Sequence, residues 1–515
     1  MEEPPAAVPP ALSAFLSAQG GRSLIIRGMS GTGKTTLALQ LMEHAGRLPQ
    51  TFYVSTRVSD SALYRHFPWL EAKEWRERLL DCSRELLRSL SPRGSRALPQ
   101  AHEGRSEVVH ASRRFLSHVY DGDISASGTL DRTQLQRLSA AYDVEDLSVL
   151  YDRIAAVLPA KPLVVIDSLE GLAEQLDLSM VKLVQVLQKD LVEHSGIDLV
   201  LVLETDRSVD LDYLVDGVAQ LRRTEIDGRR IRQLETLKLR GVEVGHPLAL
   251  FSLSGGRFRH FPRYGGEEVQ PLAKRGAPPW NGVEENSGFY SSGNRSLDSV
   301  LGGGFPIGGN VLLELMDNVP QEVYEGLLYG LVASFITRGR GVMVVPFNTN
   351  SPEDFGAMAT GAGGAGTELL RVAVKQALDK PPTEPYIFTL GYEDITKDYE
   401  RWLRERAKLR ERTGKGILEL IALETQEARF GEESYKGPLS ISSEQARVEG
   451  DLIVRLSKPG LDLVTQRAAN ASSIHLKLRR LHGAVVLYGE RPQTEMFVLQ
   501  QGRFGAFDAH LVPML

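Results

Sequence analysis

Residues 28–35 read Gly28-Met29-Ser30-Gly31-Thr32-Gly33-Lys34-Thr35, the spacing G-x-x-x-x-G-K-[ST]. That order of residue types suits a polyphosphate. Glycines let the backbone close tightly enough for successive N–H groups and a helix start to face phosphate oxygens. Lys34 adds a cation for the β- and γ-phosphates, the Thr35 hydroxyl is a ligand for Mg2+, and Thr36 continues into the helix. ATP with Mg2+ is the implied cofactor. Such a metal site also needs a carboxylate closing a buried apolar strand beside the loop. Leu163-Val164-Val165-Ile166-Asp167 supplies one, and Asp167 is expected to hold Mg2+ through water.

These residues need a scaffold of alternating strands and helices. SLIIR (23–27) precedes the loop and TTLALQL (35–41) follows it, and TFYVS, PLVVID and IDLVLVLET are further short β-branched runs separated by helical patterns. Strands alternating with helices predict an α/β fold with a mainly parallel sheet flanked by helices. Their nearly continuous apolar character predicts burial on both faces. After Asp216 the pattern changes to hairpins, with Asp227-Gly228 as the tight turn.

Residues 72–158 read as a helical insertion: an amphipathic helix over 73–90, a polar loop over 91–105 and another helix over 147–158. Pro, Gly and charge dominate 262–288, the signature of a linker. The expected organisation is therefore an ATP-binding domain (1–261), a linker (262–288) and a second domain (289–515). The two domains can be overlaid as a tandem duplication, SLIIRG on NVLLEL, TFYVSTRVSD on GVMVVPFNTNSPED, and the Lys238 segment on the Lys477 segment. The second copy is degenerate. Residues 312–330 contain no Gly-Lys-Thr, and the strand expected at Ile387-Phe388-Thr389-Leu390-Gly391 delivers no Asp. Residues 361–366 (GAGGAG) read as a flexible loop rather than a dinucleotide turn, and 121–132 fail as a calcium loop.

Composition excludes several classes. The 515 residues are 42% hydrophobic and 24% charged, too apolar for a disordered chain. A single cysteine, Cys82, excludes a disulfide framework and points to a reducing, cytoplasmic setting. No stretch approaches the roughly 20 apolar residues that span a bilayer. A net charge of −6 leaves no global footprint for nucleic acid. Basic residues are local. Arg222, Arg223, Arg229, Arg230 and Arg232 surround the 227–228 turn, where a solvated hairpin or subunit contact is the simpler reading over phosphate binding. Residues 395–412 read as a helix with Tyr399 and Leu403 inward and charge outward.

Taken together, GMSGTGKTTLALQ, PLVVIDSLEGL, LVLVLET with DYLVDGVAQLRR, the KLRG segment and SSGNRSLDSVLGGGFPIGG resemble the KaiC branch of RecA-like P-loop ATPases. YVSTRVS and the degenerate second half resemble the archaeal gas vesicle regulator family GvpD within it. The resemblance implies two tandem RecA/KaiC-like domains. It also implies that Lys238 and Arg240, a Lys-x-Arg pair, reach the γ-phosphate held by a neighbouring subunit of a homo-oligomer. KaiC-like enzymes carry paired glutamates after their second strand, where this chain has Arg57-Val58 and, in the second half, Asn348-Thr349-Asn350. Without a carboxylate to orient water, hydrolysis is expected to be slow, with Glu170 or Glu204 as stand-ins.

The leading functional expectation is an ATP-binding regulator acting on a protein partner, as GvpD-like repressors act through an activator. The competing expectation is a DNA-active RecA-like ATPase. It is weakened by the short, acidic segment 205–217 where such a motor needs a basic, mobile loop. A metabolic phosphotransferase is disfavoured because no second substrate constellation accompanies the loop.

Overall fold

A computed structural model describes residues 8–45, 48–72, 75, 78–81, 154, 156–157, 160–175, 178–207, 210–264, 271–316, 318–363, 366–375, 382, 384–391, 394–431, 438–502 and 505–515. The chain divides into two compact units, Met1–Pro262 together with Leu515, and Arg263–Met514. Both are α/β units built on a mainly parallel sheet, the tandem RecA-like arrangement.

In the first unit the strands are β1 (Ser23–Arg27), β2 (Thr51–Ser55), β3 (Leu79–Asp81), β4 (Leu163–Asp167), β5 (Asp198–Leu203), β6 (Gly217–Ile226), β7 (Arg229–Leu239), β8 (Leu248–Ser252) and β9 (Arg259–Phe261). They form one sheet in the order β3-β2-β4-β5-β1-β6-β7-β8-β9. The pairs from β3 to β6 are parallel, and β7, β8 and β9 turn back antiparallel. Alternate residues of the central strands enter different cores. Ile25, Val164, Ile166, Leu199 and Leu201 face one layer, and Leu24, Ile26, Leu163, Val165, Val200 and Val202 face the other. This two-sided burial explains the unbroken apolar runs. Asp227 and Gly228, at φ 50° and 70°, make the expected tight turn between β6 and β7.

The helix expected over 73–90 is corrected in part. Leu79–Asp81 is a strand that pairs in parallel with β2, Tyr53 opposite Leu79. The apolar Leu79-Leu80 pair extends the sheet edge, and ladder hydrogen bonds outweigh helix propensity there. Cys82, the loop over 91–105, most of the helix over 147–158 and the segment 121–132 lie outside the described residues.

The second unit has a short β10 (Phe289–Tyr290) and β11 (Phe305–Pro306) ribbon. Its main sheet is built from β12 (Asn310–Leu315), β13 (Val342–Val345), β14 (Leu370–Lys375), β15 (Ile387–Leu390), β16 (Leu418–Ala422), β17 (Leu452–Ser457), β18 (Ile474–Leu481), β19 (Ala484–Arg491), β20 (Phe497–Gly502) and β21 (Gly505–Pro513). The order is β15-β14-β13-β16-β17-β12-β18-β19-β20-β21. This repeats the first sheet with one extra parallel strand at its edge, so β12 corresponds to β1, β16 to β4, β17 to β5 and β18 to β6. Within 262–288, Leu272 is fully buried and Ala277 and Trp280 pack on the second unit's core.

That topology corrects three expectations. The strand in the place of β4 is β16, not the Ile387 segment, which is the added edge strand β15. The Lys477 segment lies on β18, the counterpart of β6, whereas Lys238 lies on β7, so overlaying them slips by one strand. Alternating apolar patterns look alike from strand to strand, and only the pairing order separates them. The helix Ile395–Thr413 forms, but its inward stripe is Asp398, Trp402, Arg406 and Leu409 rather than Tyr399 and Leu403. Arg406 is buried there because Glu419 (2.9 Å) and Asp451 meet its guanidinium.

Candidate functional site

The loop begins where β1 ends, and neighbouring atoms leave no room for a side chain at Gly28 or Gly33. A Cβ on Gly28 would sit 2.4 Å from the Leu221 carbonyl oxygen of the neighbouring β6. Gly33, at φ 105°, caps the helix Lys34–His44 without any side-chain cap, which leaves the first N–H groups of the helix open to an anion. Met29 is exposed, Thr32 is buried and its hydroxyl donates to the Met29 carbonyl at 2.8 Å, and Thr36 is buried within the first turn. Ser30 and Gly31 lie exposed at the crest of the loop.

Lys34 is 4% exposed, and its ammonium donates to the Met29 carbonyl and to Glu204 Oε2, both at 3.0 Å. Thr35 Oγ1 donates to Asp167 Oδ2 at 2.6 Å, which joins the two expected metal-side residues across 132 positions of sequence. A hydroxyl and a carboxylate are hard oxygen donors of the kind Mg2+ takes, with the remaining positions left for phosphate oxygens and water. These residues fit a magnesium-bound phosphate group, which Thr35 and Asp167 would hold on the metal side and Lys34 on the phosphate side.

The sequence pointed neither to Tyr53 nor to the place of Arg232, which it offered only as one of a cluster round the 227–228 turn. Tyr53 of β2 donates its hydroxyl to the same Asp167 Oδ2 at 2.7 Å. Burial, with the adjacent Asp167 charge, raises the Tyr53 pKa well above its ordinary value, so the hydroxyl stays protonated and remains a donor. Its signal in the sequence was a tyrosine between Phe52 and Val54, in the middle of the strand. Arg232 of β7 donates through Nη1 to the carbonyl of Gly31 at 3.0 Å and of Thr32 at 3.4 Å. It braces the outside of the loop, although burial and the nearby Arg230 and Arg223 depress its pKa. The rest of that arginine cluster divides: Arg222 pairs with Glu235 at 3.1 Å and Arg229 is buried against the Asp227 carbonyl, while Arg223 and Arg230 are exposed.

After β2 the chain reads Thr56, Arg57 and Val58. Thr56 is buried, its hydroxyl accepting from the Ser168 N–H at 2.9 Å, and Arg57 and Val58 are exposed. No carboxylate comes from that turn. Glu204 meets Lys34, and Glu170 Oε1 accepts the Glu204 N–H at 2.7 Å, so both stand-in carboxylates converge near the lysine.

Lys238 and Arg240 lie elsewhere. β6 runs parallel to β1 and β7 returns antiparallel, with Leu239 opposite Gly217 and Gly217 opposite Leu24, so both cations sit at the sheet end away from their own loop. There Lys238 donates to the carbonyls of Asp212 (2.9 Å) and Val215 (2.6 Å), and Arg240 pairs with Asp216 at 3.3 Å. Burial lowers the Lys238 pKa. Nη1 of the buried Arg27 donates to both Asp212 carboxylate oxygens at 2.8 Å, so the acidic segment after β5 is tied down in its own unit.

The second unit lacks this assembly. Asp167 pairs with Val202 of β5, and the residue in the same register on β16 is Ala422, opposite Leu456 of β17. The turn after β12 passes through Met316 and leads into the helix Gln321–Thr337 without a lysine at its start. A cavity of about 550 Å³ opens there, lined among others by Glu314, Met316, Lys458, Asp462 and His475.

Residues 12–88 and 105–238 match the P-loop domain of the GvpD gas vesicle protein family. Over nearly its whole length the chain is similar to two proteins of Halobacterium salinarum. It is 28% identical to Protein GvpD2 over 493 residues, 94% of this chain and 91% of that protein. It is 24% identical to Protein GvpD1, with 95% and 93% covered. Among the described residues no helix is long and apolar enough to cross a membrane.

Proposed function

The chain belongs to a GvpD-like P-loop family, and on that premise we propose that it is a nucleotide-controlled regulatory protein whose first unit binds ATP with Mg2+. The observation that carries this reading is the convergence of Lys34, Thr35 and Asp167 at an open helix start, with no carboxylate supplied by the turn after β2. A site of this kind binds tightly and turns over slowly, because the phosphates and metal are held while the attacking water is not oriented. Nucleotide occupancy then serves as a signal, read by a protein partner in the control of gas vesicle formation at the level of transcription. The second unit, without phosphate-binding residues, serves architecture and contacts.

In this reading Lys238 and Arg240 face a neighbouring subunit's γ-phosphate when the protein assembles, releasing their hold on the segment after β5. Mass measurement with and without ATP and Mg2+ tests the assembly, and a monomer under both conditions removes it. For binding itself, calorimetric titration of ATP with Mg2+ is expected to give saturable binding to the wild type and none to Lys34→Ala. Undiminished binding by that variant would overturn the proposal. A pull-down from a native extract comparing the two proteins then reads whether partner capture depends on nucleotide.

A further inference from the structure

The ion pair between Lys34 and Glu204 occupies the place where a terminal phosphate would be neutralised. Glu204 is the first residue past β5, and β5 lies beside β1 with Leu203 opposite Arg27, so the strand delivers the carboxylate at the level where the loop starts. Its oxygen is 3.0 Å from an ammonium that is 4% exposed. The backbone of Glu204 is held as well, since its N–H donates to Glu170 at 2.7 Å, and Glu170 lies in the first turn of the helix Leu169–Gln175 that follows Asp167. The backbone of Glu204 is therefore fixed on one side, and its carboxylate, 32% exposed, meets the lysine on the other. The second unit gives an internal contrast. In the same register, one residue past β17, stands Lys458, which pairs with Glu424 at 3.5 Å and lies 4.1 Å from the centre of the Phe347 ring. The charge at this position is reversed in the unit that has no lysine in its loop.

We propose that Glu204 is the specificity-determining residue that sets the choice between nucleoside di- and triphosphate at this site. The inference rests on the nucleotide-binding reading given above. While Glu204 is paired with Lys34, the loop amides and helix start still accept a diphosphate. A γ-phosphate requires the same ammonium and meets the carboxylate at short range, so a triphosphate must displace Glu204 from Lys34. Because Glu204 leads directly into the segment anchored by Arg27 and Asp212, that displacement also pulls on the chain after β5.

Glu204→Gln keeps the size and removes the charge. Calorimetric titration of the full chain with ADP and with a non-hydrolysable ATP analogue, both with Mg2+, reads the consequence. The variant is expected to bind the triphosphate analogue about tenfold or more tightly than wild type, a difference worth about 1.4 kcal/mol, while ADP affinity changes by less than about threefold. Glu170→Gln, which weakens the brace on Glu204, is expected to move the same ratio in the same direction by less. Thermal unfolding without nucleotide verifies that each variant is folded. An unchanged ratio between the two nucleotides, or weaker binding of the triphosphate by the folded Glu204→Gln protein, overturns the proposal. Absence of binding of either nucleotide to the wild type itself overturns the nucleotide-binding reading instead, so the two failures are separable.

Discussion

Removing the Tyr53 hydroxyl tests how the metal side of the site is held together. In Tyr53→Phe the ring stays in place, and what is lost is one donor to Asp167 Oδ2 at 2.7 Å in a position where Tyr53 is 1% exposed. Thr35 donates to the same oxygen at 2.6 Å, so without a metal the carboxylate keeps one partner. With Mg2+ bound, the Thr35 hydroxyl would give the ion a lone pair and keep donating its proton to Asp167, so Tyr53 would share with it the orienting of a carboxylate on which the metal depends. A hydrogen bond to a charged group contributes about 1.5–3 kcal/mol. At about 1.4 kcal/mol per factor of ten, Mg2+-dependent nucleotide affinity should fall roughly 10- to 100-fold. Binding measured with the metal chelated should change little. The assay is calorimetric titration with ATP in the presence of Mg2+ and again in the presence of a chelator. A loss of the same size under both conditions, or a change of less than twofold with Mg2+, would refute the argument that Tyr53 acts through Asp167.

Arg232→Ala removes the brace on the Gly31 and Thr32 carbonyls and is expected to weaken ATP binding by about 1–2 kcal/mol, measured by the same titration. Arg232→Lys should recover little of it, because the guanidinium donates through Nε to the Leu515 carbonyl at 2.6 Å while Nη1 reaches the loop, and one ammonium cannot make both contacts. In the second unit, Arg406→Leu leaves the buried Glu419 without its guanidinium, while Asp451 keeps Arg410 and the Ile417 N–H, and should cost about 3–5 kcal/mol in urea unfolding. His260 gives a pH signature. Burial lowers its pKa from the ordinary 6.5 to about 4, so the unfolded chain takes up the proton first. Stability should therefore decline as pH falls from 6.5 through 4, by at most about 3 kcal/mol, and His260→Gln should flatten that part of the unfolding profile.

Much of the nucleotide site was legible because its chemistry is contiguous. Residues 28–35 and Asp167 are recognisable by type and local setting: a glycine-rich turn must follow a strand and open a helix, and a carboxylate must close an apolar strand. The parallel α/β class was legible for a similar reason, since strands buried on both faces are apolar throughout. What was misplaced depended on which strand lies beside which. The Ile387 segment and β16 are both short and apolar, and the Lys477 segment resembles the Lys238 segment, yet the pairing order assigns each to a different place in the sheet. Helix 395–413 was found, but periodicity alone put its buried face one residue off, because the partners that allow Arg406 to be buried come from other strands.

The amino-acid sequence by itself determined that one half of the chain carries a P-loop and that the corresponding stretch of the other has no Gly-Lys-Thr, since both depend on residue types in unbroken order. Tertiary structure alone decided that Glu204 neutralises Lys34 across 170 positions, that Tyr53 and Thr35 share one oxygen of Asp167, and that Arg232 stiffens the loop from outside. Those contacts are set by strand order and register. A hydrophobic pattern specifies which face of a strand is buried, but the partner across the ladder emerges only when the whole sheet has assembled.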